Sequence, residues 1–351
     1  MASAKVRIGF VGVGGMGQCA HLRNYASIPD CEVVAIAELK EQLGKQVAVK
    51  YGVPKVYTSH DAMLKSEKLD GIVASQPFTR HGILIPELAK AKVPVFTEKP
   101  LAGCIEAGEK VIKAIQSAGT WQMVGYHKRS DPATMFAKEE IEKLKASGEL
   151  GKMKYVRVVM PAGDWVAGGF WDMVHSKDPA PQMEWEKPAS DMDAETFKIY
   201  TAFVNYYIHQ VNLLRHLLGE PYKVSYTDPA GVILAAHSQS GVPCTIEMSP
   251  YCTSIDWQES ALVCFERGWV KLELPAPVTM NRAGRVEIFK DIKGAAPQTT
   301  IPQMPWVHAM RQQAINFCKA IRGEMKPLCT ANEALEDLKV ARDYIRLWKG
   351  V

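Results

Sequence analysis

Three polar residues interrupt an otherwise apolar segment at helical spacing. The segment FVNYYIHQVNLL covers residues 203–214, and Asn205, His209 and Asn212 lie four and three positions apart. This spacing predicts that the three side chains share one face of a largely buried helix that ends near Gly219. Buried polar groups need hydrogen-bonding partners, and an imidazole titrates near neutral pH. The three side chains therefore need polar partners outside this helix.

The first third of the chain alternates short apolar strands with helical patterns. Strands are predicted at 5–14, 32–38, 71–77, 93–100 and 121–126, with helices at 15–27, 40–51, 82–91 and 104–118. Strands that alternate with helices form a parallel sheet covered on both faces. We therefore predict an α/β Rossmann domain with a doubly wound parallel sheet.

A glycine-rich turn, GVGGMG at residues 12–17, follows the first strand and opens a helix. In a dinucleotide site, Gly12 permits the tight turn, Gly14 lets a pyrophosphate approach the backbone, and Gly17 allows close packing of helix and strand. The helix N-terminus adds N–H donors and a positive dipole end. A plain glycine-rich turn is the alternative. The predicted cofactor-binding residues here are Gly12, Gly14, Gly15, Met16 and Gly17.

The second strand ends at Glu38, which lies 38 − 17 = 21 residues after Gly17. An acid at this distance accepts the ribose hydroxyls of NAD and repels the 2′-phosphate of NADP. Glu38 therefore favours NAD, although the nearby Lys40 acts in the opposite direction. A carboxylate that simply faces solvent is the alternative.

Further cofactor contacts are predicted where the third strand ends. Ser75, Gln76 and Pro77 lie at the carboxyl end of that strand, which faces the ligand crevice in such sheets. His81 follows and either contacts the cofactor or only caps the next helix.

The fourth strand runs into FTEKPLA at residues 96–102. A Glu-Lys-Pro after a strand at the cofactor crevice, behind a Rossmann glycine turn, resembles the glucose-fructose oxidoreductase/inositol dehydrogenase (Gfo/Idh/MocA) family. Further segments that resemble this family are VGYHKRSDP, LGKMKYVRV, IHQVNLLRHLLGEP and TANEALEDLKVARDYI, so the likeness spans nearly the whole chain.

Lys99 also has a chemical rationale of its own. An ammonium beside the nicotinamide ribose orients cofactor and substrate, and its charge favours a developing alkoxide. Glu98 can orient Lys99 or contact the cofactor, and Pro100 keeps the preceding backbone extended. A surface Glu-Lys pair is the alternative.

The βαβ pattern ends near residue 127. Helices are predicted at 133–147, 197–218, 305–322 and 331–348, and strands at 153–160, 222–228, 231–239, 243–251, 257–266, 268–274 and 285–290. This order predicts a C-terminal α+β domain with an open, mostly antiparallel sheet. The predicted domains are 1–126, 127–330 and a helix in 331–351 that packs back on the first domain. The resemblance implies that the exposed sheet face forms a homodimer or homotetramer.

The resemblance also assigns a role to the polar segment at 203–214. In that family the helix faces the nicotinamide and carries an Asp and a His four residues apart; His209 matches the His, whereas Asn205 replaces the Asp. Asn205 can bind a sugar hydroxyl but brings no negative charge to make His209 more basic. Lys99 is then expected to share more of the proton transfer, and a core histidine is the alternative for His209.

The irregular stretch at 161–196 is rich in tryptophan and polar residues, a combination that suits a carbohydrate site or an oligomer contact. Arg129 would bind an anionic group or form an interdomain salt bridge. The predicted substrate-binding residues are Tyr126, His127, Arg129, Trp165, Trp171, Asp172, Asn205 and His209.

Composition limits the other classes of function. The net charge is +4 and no basic stripe indicates nucleic-acid binding. The eight cysteines form no CxxC pair, the N-terminus runs straight into a strand, and there is no apolar span of membrane length, so we expect a cytoplasmic protein with free thiols. The histidines lack metal-ligand spacing, and no metal is expected.

Three functions agree with these patterns. The first is an NAD-dependent oxidoreductase acting on a ring hydroxyl of a sugar, cyclitol or glycoside. The second is an NAD-dependent glycosidase that oxidises transiently, eliminates the aglycone, adds water and returns the hydride. The third is a non-enzymatic NAD-linked sensor, which would not need Lys99 and His209.

Overall fold

The computed structural model describes residues 5–350, so the predicted domain limits at residues 1 and 351 lie outside the described residues. The chain folds into two compact units. The first contains the chain up to Tyr126, together with Gly169–Phe197 and Gln313–Leu335. The second contains His127–Gly168, Lys198–Gln312 and the chain from Glu336 onward.

The first unit is built on a six-stranded parallel sheet. Its strands are β1 (Val6–Val11), β2 (Cys31–Ala37), β3 (Lys55–Tyr57), β4 (Gly71–Ala74), β5 (Val95–Glu98) and β6 (Gln122–Gly125). Their order in the sheet is β3-β2-β1-β4-β5-β6, which confirms the doubly wound prediction. The sequence analysis missed β3, because three residues carry too little periodicity to predict a strand.

The helices of the first unit connect these strands. A π-helical segment (Met16–Leu22) continues into α1 (Arg23–Tyr25), followed by α2 (Glu41–Tyr51), α3 (His60–Ser66), α4 (His81–Ala89) and α5 (Ile105–Ser117). The short α3 was not predicted. Gly52 ends α2 in the left-handed conformation that glycine adopts without steric cost.

An aromatic cluster lies in the core of this unit. The Phe10 ring meets that of Tyr25 edge-on at 5.4 Å, and the rings of Phe96 and Phe317 are 5.7 Å apart. Such contacts add about 0.5–1.5 kcal/mol each beyond the burial of area. Phe317 comes from α9 (Ala309–Ile321), and its place in this core agrees with the assignment of Gln313–Leu335 to the first unit.

The second unit is built on an eight-stranded, mostly antiparallel sheet, as predicted. Its strands are β7 (Met153–Ala162), β8 (Tyr222–Thr227), β9 (Ile233–Ser238), β10 (Pro243–Cys252), β11 (Glu259–Phe265), β12 (Gly268–Leu274), β13 (Arg285–Lys290) and β14 (Gln298–Thr300). The order is β14-β13-β12-β11-β7-β10-β9-β8. Among the described strands of this sheet, the β7–β10 pair is parallel and the other neighbouring pairs are antiparallel. The short β14 was not predicted.

The helices of the second unit include α6 (Pro132–Ser147), α8 (Ile208–Leu218) and most of α10 (Ala331–Lys349). Asp131 caps α6 by accepting a hydrogen bond from the Ala133 N–H at 2.8 Å. The chain from Glu336 onward belongs to this unit, where the Tyr344 ring stacks on Phe203 at 4.7 Å. Residues 331–335 of α10 fall in the first unit and the others in the second; the packing of the closing helix on the first domain remains a prediction.

Candidate active site

In the glycine turn between β1 and the π-helical segment, a Cβ atom would clash at two glycines and would have free space at a third. Gly12 has φ +89°, and a Cβ there would lie 2.6 Å from the Ser75 carbonyl oxygen. A Cβ on Gly17 would lie 2.5 Å from the Gly12 carbonyl oxygen. A Cβ on Gly14 would meet no atom within 4 Å, and this glycine is exposed. The turn therefore leaves room above Gly14, at the start of a helix, where a pyrophosphate group fits.

Glu38 lies directly beside this turn, one residue after β2. Its Oε2 accepts a hydrogen bond from the Val13 N–H at 2.8 Å, and its Oε1 accepts one from the Lys40 N–H at 3.0 Å. The side chain is half-buried. The carboxylate is therefore held next to the glycine turn, the position from which an acid recognises the cofactor ribose.

Glu98 and Lys99 stand at the carboxyl end of β5. The Glu98 carboxylate is buried and meets the His21 imidazole, with Oε1 and Nε2 2.5 Å apart. Its Oε2 also accepts a hydrogen bond from the Lys99 N–H at 3.2 Å. His21 thus orients the Glu98–Lys99 segment. The sequence analysis missed His21, although its position four residues after Gly17 on the same helix is a usable signal.

The end of β4 also borders the glycine turn. Ser75 donates its N–H to the Val11 carbonyl at 3.0 Å, and the Gln76 side-chain oxygen accepts a hydrogen bond from Arg80 at 3.1 Å. Pro77 is exposed at this edge. The predicted cofactor-binding residues of β1, β2, β4 and β5 therefore occupy one edge of the sheet.

His81 has a different environment from its neighbours at this edge. Its side chain is fully buried, and Nδ1 lies 3.1 Å from the Leu101 carbonyl oxygen. Burial lowers the pKa of His81, and hydrogen bonds to backbone groups, Leu101 first, only partly oppose this. A neutral His81 thus supports the turn after Pro100, and its predicted contact with the cofactor remains a prediction.

Asp172 is engaged in ion pairs within the first unit. Its carboxylate pairs with Arg23 and, at 2.8 Å, with Lys50. Burial acts to raise the pKa of Asp172, but the hydrogen bond from Lys50 and the charge of Arg23 outweigh it and lower the pKa. The predicted substrate role of Asp172 remains a prediction. Its neighbour Trp171 is 77% exposed, whereas Trp165, in the second unit, is 38% exposed.

The polar segment at residues 203–214 belongs to two helices and not to the single helix that was predicted. Helix α7 (Ala194–Tyr206) ends before Tyr207, and α8 starts at Ile208. The Tyr207 hydroxyl bonds the Ser249 hydroxyl at 2.5 Å, and both Tyr206 and Tyr207 pack against a small apolar cluster. These contacts hold Tyr206 and Tyr207 at the point where α7 ends and α8 begins. Asn205 and His209 therefore lie in different helices.

His209 is half-buried in α8 and contacts a second imidazole. The rings of His127 and His209 meet edge-to-face with centroids 4.7 Å apart. Asn205 is exposed, and Tyr126, which ends the first stretch of the first unit, is 2% exposed. Of the predicted substrate-binding residues, the second unit thus brings His127 and His209 together.

Asn212 belongs to a buried ion network. Its Oδ1 accepts a hydrogen bond from Arg129 at 2.7 Å, and its Nδ2 donates to Asp337 at 2.6 Å. Asp337 also accepts two hydrogen bonds from Arg215, at 2.9 and 3.0 Å. Arg129 is 3% exposed, and its hydrogen bond to Asn212 links it to the Asp337 carboxylate. Its predicted binding of an anionic group remains a prediction.

A second buried network lies around Glu259 and was not predicted. The Glu259 carboxylate accepts hydrogen bonds from Lys128, from Gln210 at 2.7 Å and from the Trp257 indole at 3.1 Å. Burial lowers the pKa of Lys128, and the Glu259 carboxylate opposes that shift. Gln210 is adjacent to His209, so this network fixes the helix that carries the imidazole.

Residues 5–350 contain neither a membrane-spanning helix nor a metal-binding cluster. None of the described helices combines the length and apolarity needed to cross a bilayer. Within the same range, no group of three or more His, Cys, Asp or Glu side chains is arranged to hold a metal ion.

Comparison with known proteins shows a likeness in the first unit. The model of the Gfo/Idh/MocA oxidoreductase family, described as having an NAD-binding Rossmann fold, matches residues 6–126. Over this range the chain is similar to the Gfo/Idh/MocA family. The matched range covers the first stretch of the first unit, with the glycine turn, Glu38 and the Glu98–Lys99 segment.

Several relatives of the chain are named inositol dehydrogenases. A myo-inositol 2-dehydrogenase of Thermotoga maritima is 26% identical over 64% of this chain and 58% of its own length. An inositol 2-dehydrogenase of Rubrobacter xylanophilus is 31% identical over 42% of each chain. The alignments thus span less than two thirds of these relatives.

Solved structures match over nearly the whole fold. An aldose-aldose oxidoreductase of Caulobacter crescentus has a TM-score of 0.70 at 19% identity, covering 99% of this chain and 98% of the other. The WlbA dehydrogenase of Bordetella pertussis has a TM-score of 0.70 at 20% identity, covering 100% and 98%. At such identities the likeness shows the fold alone.

Proposed function

We propose that the protein is an NAD-dependent oxidoreductase that transfers a hydride between nicotinamide and a hydroxyl-bearing ring carbon of a sugar or cyclitol. The observation that carries the proposal is the Glu98–Lys99 segment, held by His21 at the edge of the sheet that carries the open glycine turn. A sensor that only binds the dinucleotide would not need a lysine at this position.

The cofactor site uses residues of the first unit. The N–H groups of the turn above Gly14 would hold the pyrophosphate, and Glu38 would accept the adenosine ribose hydroxyls. NAD, when bound, supplies the hydride acceptor. NAD is favoured over NADP because Glu38 repels a 2′-phosphate.

Proton transfer is assigned to Lys99 and His209. Lys99 donates hydrogen bonds to the substrate hydroxyl oxygen and stabilises the negative charge that develops there. His209 takes the hydroxyl proton, or returns it in the reverse direction. Asn205 is proposed to bind a neighbouring hydroxyl. The meeting of Lys99 and His209 at one substrate remains part of this proposal.

Cyclitols are the first substrates to test, because the relatives named above include inositol 2-dehydrogenases of Thermotoga maritima and Rubrobacter xylanophilus. The purified protein is incubated with NAD and a panel of inositols, aldoses and glycosides, and NADH absorbance is followed. We expect net NADH formation with at least one cyclitol or sugar. Glycoside cleavage without net NADH would instead identify a glycosidase, and NAD binding without turnover would identify a sensor.

We also propose that the eight-stranded sheet joins two copies of this chain. The side chains of Tyr155 and Val159 on β7, Leu262 on β11 and the stacked pair Trp269–Phe289 are only half-buried on one face of the sheet, between charged residues. Sedimentation velocity is expected to show a dimer or tetramer, and Val159→Asp to release monomers. A monomeric wild-type protein would contradict this.

A cytoplasmic location completes the proposal. No disulfide joins the eight cysteines, which all lie within residues 5–350, and seven of them are buried or half-buried, a pattern that fits a reducing compartment.

A further inference from the structure

Asp178 lies at the start of α2, beside the proposed ribose site. Its Oδ2 accepts a hydrogen bond from the Leu43 N–H at 3.0 Å, and its Oδ1 accepts one from the Gln42 N–H at 3.3 Å. Both N–H groups belong to the first turn of α2, where backbone donors have no partner within the helix. The Asp178 carboxylate, which comes from the segment Gly169–Phe197, therefore accepts hydrogen bonds from two backbone donors at the N-terminus of this helix.

The inserted segment Gly169–Phe197 is fastened to the first unit on both sides of Asp178. Before it, Val174 and Gln18 exchange two hydrogen bonds, at 2.8 and 3.0 Å. After it, the Glu186 carboxylate accepts the N–H of Gly82 at 2.5 Å and the N–H of Gly103 at 2.9 Å. These contacts hold the segment against the sheet edge that carries the proposed cofactor site, so the position of Asp178 is defined.

The position matters because α2 begins three residues after Glu38. In Rossmann sites this stretch of chain faces the adenosine ribose, and a 2′-phosphate is bound there by basic side chains and helix N-terminal donors. Lys40 supplies a cation at this place. Without Asp178, Lys40 and the N–H groups of Gln42 and Leu43 would together form an anion site.

We propose that Asp178 is a second specificity residue that excludes NADP, acting with Glu38 from a different part of the chain. It occupies the two N–H donors of α2 and offsets the charge of Lys40. This inference rests on the proposed use of NAD and extends it, because Glu38 alone leaves Lys40 available to a phosphate.

Asp178 carries a negative charge at neutral pH. Desolvation acts to raise the pKa of Asp178, but the hydrogen bonds it receives from the Ser176 hydroxyl and the Leu43 N–H outweigh that effect. The Gln42 N–H and the charge of Lys40 lower the pKa further. The group that meets an incoming 2′-phosphate is therefore a carboxylate, and the two repel each other.

The test compares the affinities of NADH and NADPH in fluorescence titrations of the full-length protein. Asp178→Asn removes the charge with little change in shape, and Glu184→Gln removes a carboxylate from an exposed position of the same segment. We expect Asp178→Asn to raise the affinity for NADPH about five- to tenfold and to change that for NADH less than about twofold. Glu184→Gln is expected to leave the ratio of the two affinities unchanged.

A second variant keeps the test valid if Asp178→Asn fails to fold. In the otherwise wild-type protein, Lys40→Gln is expected to lower NADPH affinity less than about twofold, because Asp178 already offsets that cation. A fall of about fivefold or more would overturn the proposal, since it would show that Lys40 is available to the phosphate.

The outcomes separate this inference from the proposed function. If wild-type protein prefers NADH but Asp178→Asn keeps the ratio found for Glu184→Gln, the role of Asp178 is refuted and the proposed function stands. If wild-type protein binds neither dinucleotide, or prefers NADPH, the use of NAD fails and the inference fails with it.

Discussion

The two regions proposed to carry the chemistry hold their side chains in different ways. At the edge of the parallel sheet, the backbone around Gly12 and Gly17 leaves no space for a Cβ atom. The Glu98 carboxylate there is held by the His21 imidazole. Around α8, the position of His209 depends on two buried networks centred on Asp337 and Glu259. The first region is determined by local backbone geometry, and the second by contacts between distant parts of the chain.

The largest effect is expected from Lys99. Replacing it with Met removes the ammonium but keeps most of the side-chain length, so kcat/KM is expected to fall about a thousandfold through lost stabilisation of the alkoxide. NADH affinity should change little. Lys113→Met, at an exposed position of α5, is the control and should retain wild-type kinetics. Retention of most of the activity in Lys99→Met would remove Lys99 from the mechanism.

His209→Gln tests the second region in the same assay. Loss of a general base is expected to lower kcat/KM about a hundredfold and to abolish the fall in rate on the acid side of the pH profile. His237→Gln replaces an exposed histidine on β9 and should leave the profile unchanged. If the acid limb persists in His209→Gln, another group provides the base.

The sequence predicted the strands and the glycine turn of the first region because their requirements are local. The glycine turn, Glu38 and the Glu98–Lys99 segment each follow a strand, and adjacent parallel strands bring their carboxyl ends to one edge. The interpretation of the second region was less successful. The break at Tyr207 depends on its contacts with Ser249 and a small apolar cluster, which periodicity does not record.

The contacts of Asp172 and Arg129 could not be predicted for the same reason. Both are charged residues in plausible positions, but Asp172 pairs with Arg23 and Lys50, and Arg129 bonds Asn212 beside Asp337. No spacing along the chain indicates these partners. The role of Asp178 was missed for the same reason, since its partners on α2 are about 135 residues away in the sequence.

Two glycines of the turn distinguish cofactor binding from folding. Gly14→Ala adds a methyl group where the structure has open space, so the thermal midpoint should stay close to wild type while the KM for NAD rises about tenfold. Gly12→Ala places a Cβ against the Ser75 carbonyl at a positive φ and should destabilise the fold. Equal KM values for Gly14→Ala and wild type would contradict the pyrophosphate position.

The smallest effect is expected for the pH dependence of the unfolding free energy, through Asp131 in the second unit. Burial raises the pKa of Asp131 to about 6, although the N–H groups of Gly284 and Ala133 partly oppose it. A carboxyl whose pKa is raised in the folded state stabilises the fold at low pH and loses that contribution as the pH rises through about 6. Relative to Asp131→Asn, which keeps a capping side chain, the wild type should lose about 2 kcal/mol of unfolding free energy between pH 4 and 7. Chemical denaturation across that range measures the difference, and a constant difference would contradict the assignment.

The most direct test of the central claim is the kinetic coupling between Lys99 and His209. If the two side chains act on one substrate hydroxyl, the Lys99→Met/His209→Gln double variant should be no more than about tenfold slower than Lys99→Met alone, because residues that act as a unit are not additive. If the two losses instead multiply to about five orders of magnitude, the side chains act independently, and the shared site is contradicted.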